Sequence, residues 1–292
     1  MNLHNQEPFT FTEGKVDTGR MHLAYIECGN PDGFPLLALH GWLDNAATFA
    51  RIAPLLDLTK IRFIALDLPG HGYSEHRPNG DIYHLLEYVV ECEAFARALN
   101  IRQFDILGHS LGGVIGMLWA AGAPATIRKL ALIDSLGPFA GKESKVAANF
   151  QEALEKTLST TTPKKPVYPS IEEAITARMS GIGNISREAA GYLVARGLKK
   201  ISEGFTWRSD ARLTHPSLVR FTEGQIEGFL KGVEAEVLCI LASKGFIAVN
   251  EKGLGRLNFL KNKRHCILQG GHHLHLDDAP QTVADELNRF FQ

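Results

Sequence analysis

The stretch Leu107-Gly108-His109-Ser110-Leu111-Gly112-Gly113 constrains this chain more than any other. Residues 101–107 form a short apolar run, interrupted by Arg102, Gln103 and Asp105, and predict a strand. Residues 111–123 are apolar, rich in Gly and Ala, and stop at Pro124, which predicts a helix. Between them Ser110 is the centre of Gly108-x-Ser110-x-Gly112. A strand-to-helix turn this tight forces its central residue into a strained conformation. Glycines two places before and after it remove the side chains that would collide there. The hydroxyl is then lifted to the tip of the turn, above the free N–H groups of a helix N-terminus. That is where a nucleophile, and the negative oxygen its attack creates, need to be.

The five-residue pattern is common by itself, and the rest of the chain gives it weight. Residues 9–27 alternate, split by Asp17-Thr18-Gly19-Arg20, and predict an antiparallel hairpin. Pro35-Leu36-Leu37-Ala38-Leu39 is a continuous apolar run, as expected of a central buried strand, and stops at His40-Gly41-Trp42-Leu43-Asp44-Asn45. A helix is expected over 49–58 and a strand over 61–66, ending in the loop Asp67-Leu68-Pro69-Gly70-His71-Gly72-Tyr73-Ser74. Helical spacing over 85–99 leads into the serine turn, and 129–134 is another strand. Strands thus alternate with helices, which predicts a mostly parallel twisted sheet with helices on both faces. In such sheets ligands bind at the carboxyl ends of the strands, where His40, Asp67, Ser110 and Asp134 all fall.

From about residue 136 the rhythm changes. Helices are expected over 145–158, over 170–179 with Ser170 and Glu173 as a capping pair, over 186–199 capped by Ser186, and in part over 225–232. The run 161–166 breaks the chain, and no convincing buried strand occurs here. The sheet resumes with strands at 236–242 and 263–268 and closes with an amphipathic helix over 280–291. The expected organisation is a core of residues 1–136 and 232–292 carrying a helical cap, 137–231, over the sheet's active edge.

Bulk properties exclude several classes. At 292 residues the chain is long enough for one large α/β domain with an insertion. A formal net charge of −1 implies no basic face, so nucleic acid is not an expected partner. No apolar run approaches a membrane span, and residues 1–12 lack the apolar segment of a signal peptide, so a cytoplasmic location without membrane association is expected. Cys28, Cys92, Cys239 and Cys266 are scattered without metal-binding spacing, and Cys239 and Cys266 are expected to be buried thiols. Phosphate-binding glycine motifs are absent, and no cofactor is expected.

Four motifs together carry a family resemblance. They are His40-Gly41-Trp42, the loop from Asp67 to Ser74, Gly108-His109-Ser110-Leu111-Gly112-Gly113, and Gly271-His272-His273-Leu274-His275-Leu276-Asp277. In this order and spacing the chain resembles an α/β-hydrolase along nearly all its length outside the cap. The last motif and Phe205-Thr206-Trp207-Arg208-Ser209-Asp210 are most similar to the serine-hydrolase-like branch.

The resemblance implies a Ser-acid-His order, with Ser110 as nucleophile. It places the base after the last strand, where the Gly-His-x-x-x-Leu-acid pattern selects His272 ahead of His273. A metal is the competing use for three close histidines, but no accompanying carboxylate or Cys pattern supports it. The acid is where the chain departs from the family. The usual position, a few residues after the strand 237–241, is occupied by Gly245. Asp134, at the end of the strand after the serine helix, is the expected substitute, with Glu251 as a weaker alternative. The oxyanion hole is expected from the backbone N–H groups of Leu111 and Trp42. Asp44 is left open between touching substrate and capping the next helix, while His40, Asp67 and His71 are expected to be structural. Phe139, Trp207 and Phe246 are expected to line the substrate pocket, with Phe150, Phe205 and Ile247 as further candidates. The implied reaction is hydrolysis of a small carboxylic ester or thioester through an acyl-enzyme. The alternatives are C–C bond hydrolysis of a diketone-like substrate and a non-catalytic ligand-binding relative. Oligomeric state is not indicated.

Overall fold

The computed structural model describes residues 10–158 and 164–292. Most of the N-terminal stretch 1–12 and part of the break at 161–166 lie outside them. Among the described residues, eight strands form one sheet in the order β1-β2-β4-β3-β5-β6-β10-β11. These are β1 (Thr12–Asp17), β2 (His22–Gly29), β3 (Phe34–Leu39), β4 (Ile61–Leu66), β5 (Phe104–His109), β6 (Ile127–Ile133), β10 (Glu236–Ala242) and β11 (Lys263–Leu268). The expected hairpin is β1 and β2, and β2 also runs antiparallel to β4; every later pairing is parallel.

The continuous apolar runs make sense because both faces are covered. Along the central strands alternate residues join opposite cores. Leu37, Leu39, Ile106, Leu130 and Leu132 face one cluster, while Leu36, Ala38, Leu107, Ala131 and Ile133 face the other. The first cluster is closed by α1 (Leu85–Ala98) and α2 (Leu111–Gly122), through Tyr88, Phe95, Ile115 and Trp119. The second is closed by α8 (Pro280–Phe291), through Val283, Leu287 and Phe290. The short α7 (Glu251–Gly255) follows β10.

Two elements differ from the sequence expectation. The helix expected over 49–58 is instead two single 3₁₀ turns, Ala46–Phe49 and Ala53–Leu55. Pro54, within the second turn, has no N–H to continue a longer ladder. The stretch 137–231 carries α3 (Val146–Leu158), α4 (Ile171–Met179), α5 (Arg187–Gly197) and α6 (Glu223–Gly232), but also a small antiparallel sheet in the order β7-β9-β8. Its strands are β7 (Val167–Tyr168), β8 (Leu198–Ile201) and β9 (Gly204–Trp207). At two to four residues these strands are too short to show a period. The caps Ser170 and Ser186 form as expected, each accepting from the N–H three residues on. α6 packs on α2, and its Ile226 and Leu230 join the first core cluster under the sheet.

No helix among the described residues is long and apolar enough to cross a membrane.

Candidate active site

Ser110 sits between β5 and α2 with φ 51° and ψ −115°, a conformation side-chain-bearing residues rarely adopt. Its N–H donates to the Ile133 carbonyl at 3.1 Å, and its carbonyl accepts from the Ser135 hydroxyl at 2.8 Å. The strain is therefore held from the neighbouring strand. Gly112 shows why the motif needs glycine: a Cβ there would lie 1.9 Å from the Leu39 carbonyl oxygen of β3.

Asp134 follows β6 as Ser110 follows β5, so the two leave adjacent parallel strands side by side. Asp134 also has a positive φ, 43°, and its N–H donates to Ile240 O at 2.8 Å. Its carboxylate accepts from three directions. His272 Nδ1 donates to Oδ2 at 2.6 Å, Phe246 N–H to Oδ2 at 2.9 Å, and Ala242 N–H to Oδ1 at 3.3 Å. Gly245 explains how the Asp134 carboxylate fits. A Cβ at that position would come within 2.3 Å of both Asp134 carboxylate oxygens. An acid on this strand end and a side chain at 245 thus exclude each other. Glu251, the weaker candidate, lies in the first turn of α7, and among the described residues the carboxylate bonded to His272 is that of Asp134.

With Nδ1 turned to Asp134, Nε2 is the ring nitrogen left without that partner. Among the described residues Ser110 makes hydrogen bonds through its backbone and none through Oγ, while His272 is joined to Asp134. His109, immediately before the serine, donates from Nε2 to the His272 carbonyl at 3.0 Å and so ties the loop after β11 to the serine turn. The Phe246 ring lies 4.2 Å from the His272 ring, and Phe139, mostly exposed, meets Phe246 edge-on at 6.4 Å. Of the three expected pocket aromatics, Phe246 lies on His272 and Phe139 on Phe246. Trp207 is instead engaged in the small sheet, where its indole N–H donates to Tyr168 Oη at 3.2 Å.

The Trp42 loop is tightly built. Gly41 O accepts from Asp44 N–H at 3.2 Å, and Leu43 is held at φ 62° with its N–H donating to His71 Nε2 at 3.2 Å. Trp42 anchors its indole on the Leu213 carbonyl at 3.0 Å. Leu111 opens α2, so its N–H precedes the helix's own ladder. His40 and His71 are structural, as expected. His40 donates to Gly41 O and accepts from Leu68 N–H, while His71 donates to Pro69 O. Burial pushes His40 down to about 4 and His71 down to about 3, so both rings are neutral at pH 7. Asp67 accepts from Ala46 and Tyr73 N–H and pairs with Arg196.

A second histidine–carboxylate pair lies beside the first. His273 Nε2 donates to Asp44 Oδ2 at 2.9 Å, and Arg178 of α4 donates to Asp44 Oδ1 at 2.8 Å. Burial alone would raise the Asp44 carboxyl, but His273 and Arg178 hold it well below the usual carboxylate range. The third histidine, His275, contacts Thr48 Oγ1 at 3.0 Å. So His272 and His273, of which the sequence pattern favours the first, have different partners. The Asp44–Arg178 contact is the feature sequence reasoning missed. It spans 134 residues, and no local pattern marks it.

The family model for the alpha/beta hydrolase fold matches residues 35–279. The chain is 30% identical to serine hydrolase-like protein 2 of Homo sapiens, over 99% of this chain and 96% of that protein. It is 28% identical to a serine hydrolase-like protein of Danio rerio, over 90% and 83%. Among solved structures, a hypothetical protein from Pseudomonas aeruginosa PAO1 is 43% identical, with a TM-score of 0.90 over 96% of this chain and 97% of that one. The thioesterase domain from the curacin biosynthetic pathway has a TM-score of 0.84 at 22% identity, over 96% and 99%, a likeness of fold. On sheet order, serine turn and family match alike, the chain belongs to the α/β-hydrolase family.

Proposed function

We propose that this protein is a serine hydrolase of small carboxylic esters or thioesters, working through Ser110, His272 and Asp134. The observation that carries the reading is the 2.6 Å bond from His272 Nδ1 to Asp134, in the space that Gly245 leaves open. That bond fixes the ring with Nε2 free to accept a proton. Ser110 Oγ attacks the carbonyl carbon as His272 Nε2 takes its proton. Asp134 stabilises the imidazolium, and the N–H groups of Leu111 and Trp42 hold the tetrahedral oxyanion. Collapse expels the alcohol or thiol, which leaves with the proton from His272. Water then repeats the sequence on the acyl-enzyme. Residues 137–231 act as a cap, with Phe139 and Phe246 forming the apolar side of the entrance.

The test is reaction with an activated fluorophosphonate, read by mass spectrometry beside p-nitrophenyl ester turnover. A single adduct on Ser110, absent from Ser110→Ala, is the expected result. An intact protein that neither labels nor turns over short-chain esters and thioesters would remove this reading and leave a ligand-binding relative.

A further inference from the structure

Asp44 closes the turn that carries Trp42, and its buried carboxylate is met from three other parts of the chain. His273 reaches it from the loop after β11 at 2.9 Å, Arg178 from α4 at 2.8 Å, and His109 Nδ1 from the end of β5 at 3.8 Å. Arg178 also donates to the Ile182 carbonyl at 3.3 Å, which folds the end of α4 over the base loop. There the backbone of Gly183 comes so close that a Cβ would meet His273 Nδ1 at 2.7 Å and His272 Cβ at 3.2 Å. One carboxylate therefore joins the Trp42 turn, the base loop and the inserted segment.

The turn needs such a restraint. Leu43 holds a left-handed φ of 62°, a costly conformation that persists only when its surroundings enforce it. A metal ion is the rival occupant, since Asp44, His109 and His273 offer ligand atoms within 4.8 Å of one another. But Arg178 Nη2 lies 2.8 Å from Asp44 Oδ1 and 3.2 Å from His273 Nε2. The positive charge at this position is thus supplied by the protein.

We infer that Asp44 is a positioning residue, locked by Arg178, that holds the Trp42 N–H in register with His272 when α4 is seated. The inference rests on the serine-hydrolase reading above. Seating of the inserted segment and assembly of the oxyanion hole become one event, because both depend on the same ion pair.

The experiment compares wild type, Asp44→Asn, Arg178→Met, Arg178→Lys and the double variant Asp44→Asn/Arg178→Met. It measures kcat and KM on a p-nitrophenyl ester and the rate of fluorophosphonate labelling. Asp44→Asn should lower kcat and the labelling rate about a hundredfold, with KM changed less than about threefold. Arg178→Met should cost about tenfold, Arg178→Lys less, and the double variant no more than about twofold beyond Asp44→Asn, because the pair acts as one contact. The double variant also removes the guanidinium that Asp44→Asn strands, so it reports on catalysis if the single variant folds poorly. Fully additive effects, or a change confined to KM, would overturn the inference while a labelled wild type kept the hydrolase. Wild-type activity lost to a chelator and restored by zinc would also overturn it and give the three donors to a metal. A wild type that never labels would remove the hydrolase reading and this inference with it.

Discussion

His272 and His273 are neighbours in sequence, each donates to a buried aspartate, and the two rings stand 5.1 Å apart. What differs is the aspartate's other company. Asp134 accepts from the backbone N–H groups of Ala242 and Phe246, which are neutral. In the proposed mechanism its charge acts on one imidazole, as a proton shuttle requires. Asp44 accepts from a guanidinium as well, so its charge is already matched and its pair is a fastening. The same two residue types thus serve different ends, and the third partner decides which.

The largest effect should come from breaking the first pair. Asp134→Asn keeps the shape but favours the wrong tautomer of His272, and kcat should fall by about 10⁴-fold. Turnover that survives the change would dissolve the contrast between the two pairs. A sharper version moves the acid. Gly245→Asp alone should be inactive, because the new side chain and Asp134 contend for one space. In Asp134→Gly/Gly245→Asp the positive φ at 134 is relieved by glycine and the acid returns to the family's usual strand end. Its kcat should exceed that of Asp134→Gly alone by at least about tenfold. If the swap recovers nothing, the space argument is wrong.

The pairing of Asp134 with His272 was legible in sequence because Gly245 stands where the family carries its acid and Asp134 ends a strand close to the serine turn. The sheet was legible because its strands are buried on both faces and form unbroken apolar runs such as Pro35 to Leu39. The small sheet β7-β9-β8 was not, since Lys199, Lys200 and Thr206 sit among its few residues and no apolar run marks them. Asp44 was left undecided for a different reason. Its role depends on where α4 lands, and the residues around Arg178 carry no trace of that docking.

A middle-sized effect concerns His109, which separates the two pairs with its ring 4.7 Å from His272 and 4.8 Å from His273. Burial, reinforced by the neighbouring imidazoles, holds it well below the ordinary histidine range, so it is neutral at pH 7. The unfolded chain then takes up the proton first. Stability from this ring is full above about pH 6.5 and is lost as pH falls below it, at up to about 1.4 kcal/mol per pH unit. His40, His71 and His275 act with the same sign. His109→Gln keeps a donor toward the His272 carbonyl but cannot titrate. Urea unfolding between pH 6.5 and 5.5 should therefore show a shallower loss in the variant, by up to about 1 kcal/mol. Equal slopes would mean that the native ring is already charged, and the two pairs would then share a cation.

The smallest effects separate the aromatics. Trp207→Phe removes the indole donor to Tyr168 Oη and should cost about 1 kcal/mol of stability with KM unchanged. Phe246→Leu keeps an apolar side chain but removes the ring that lies on His272. Its Tm should move little, since the residue is partly exposed, while KM for an aromatic ester rises severalfold. The two variants thus test where the substrate meets the protein. If Trp207→Phe moves KM as much as Phe246→Leu does, the small sheet of the inserted segment reaches the bound substrate. The first pair would then be served by the insertion as directly as the second pair is fastened by it.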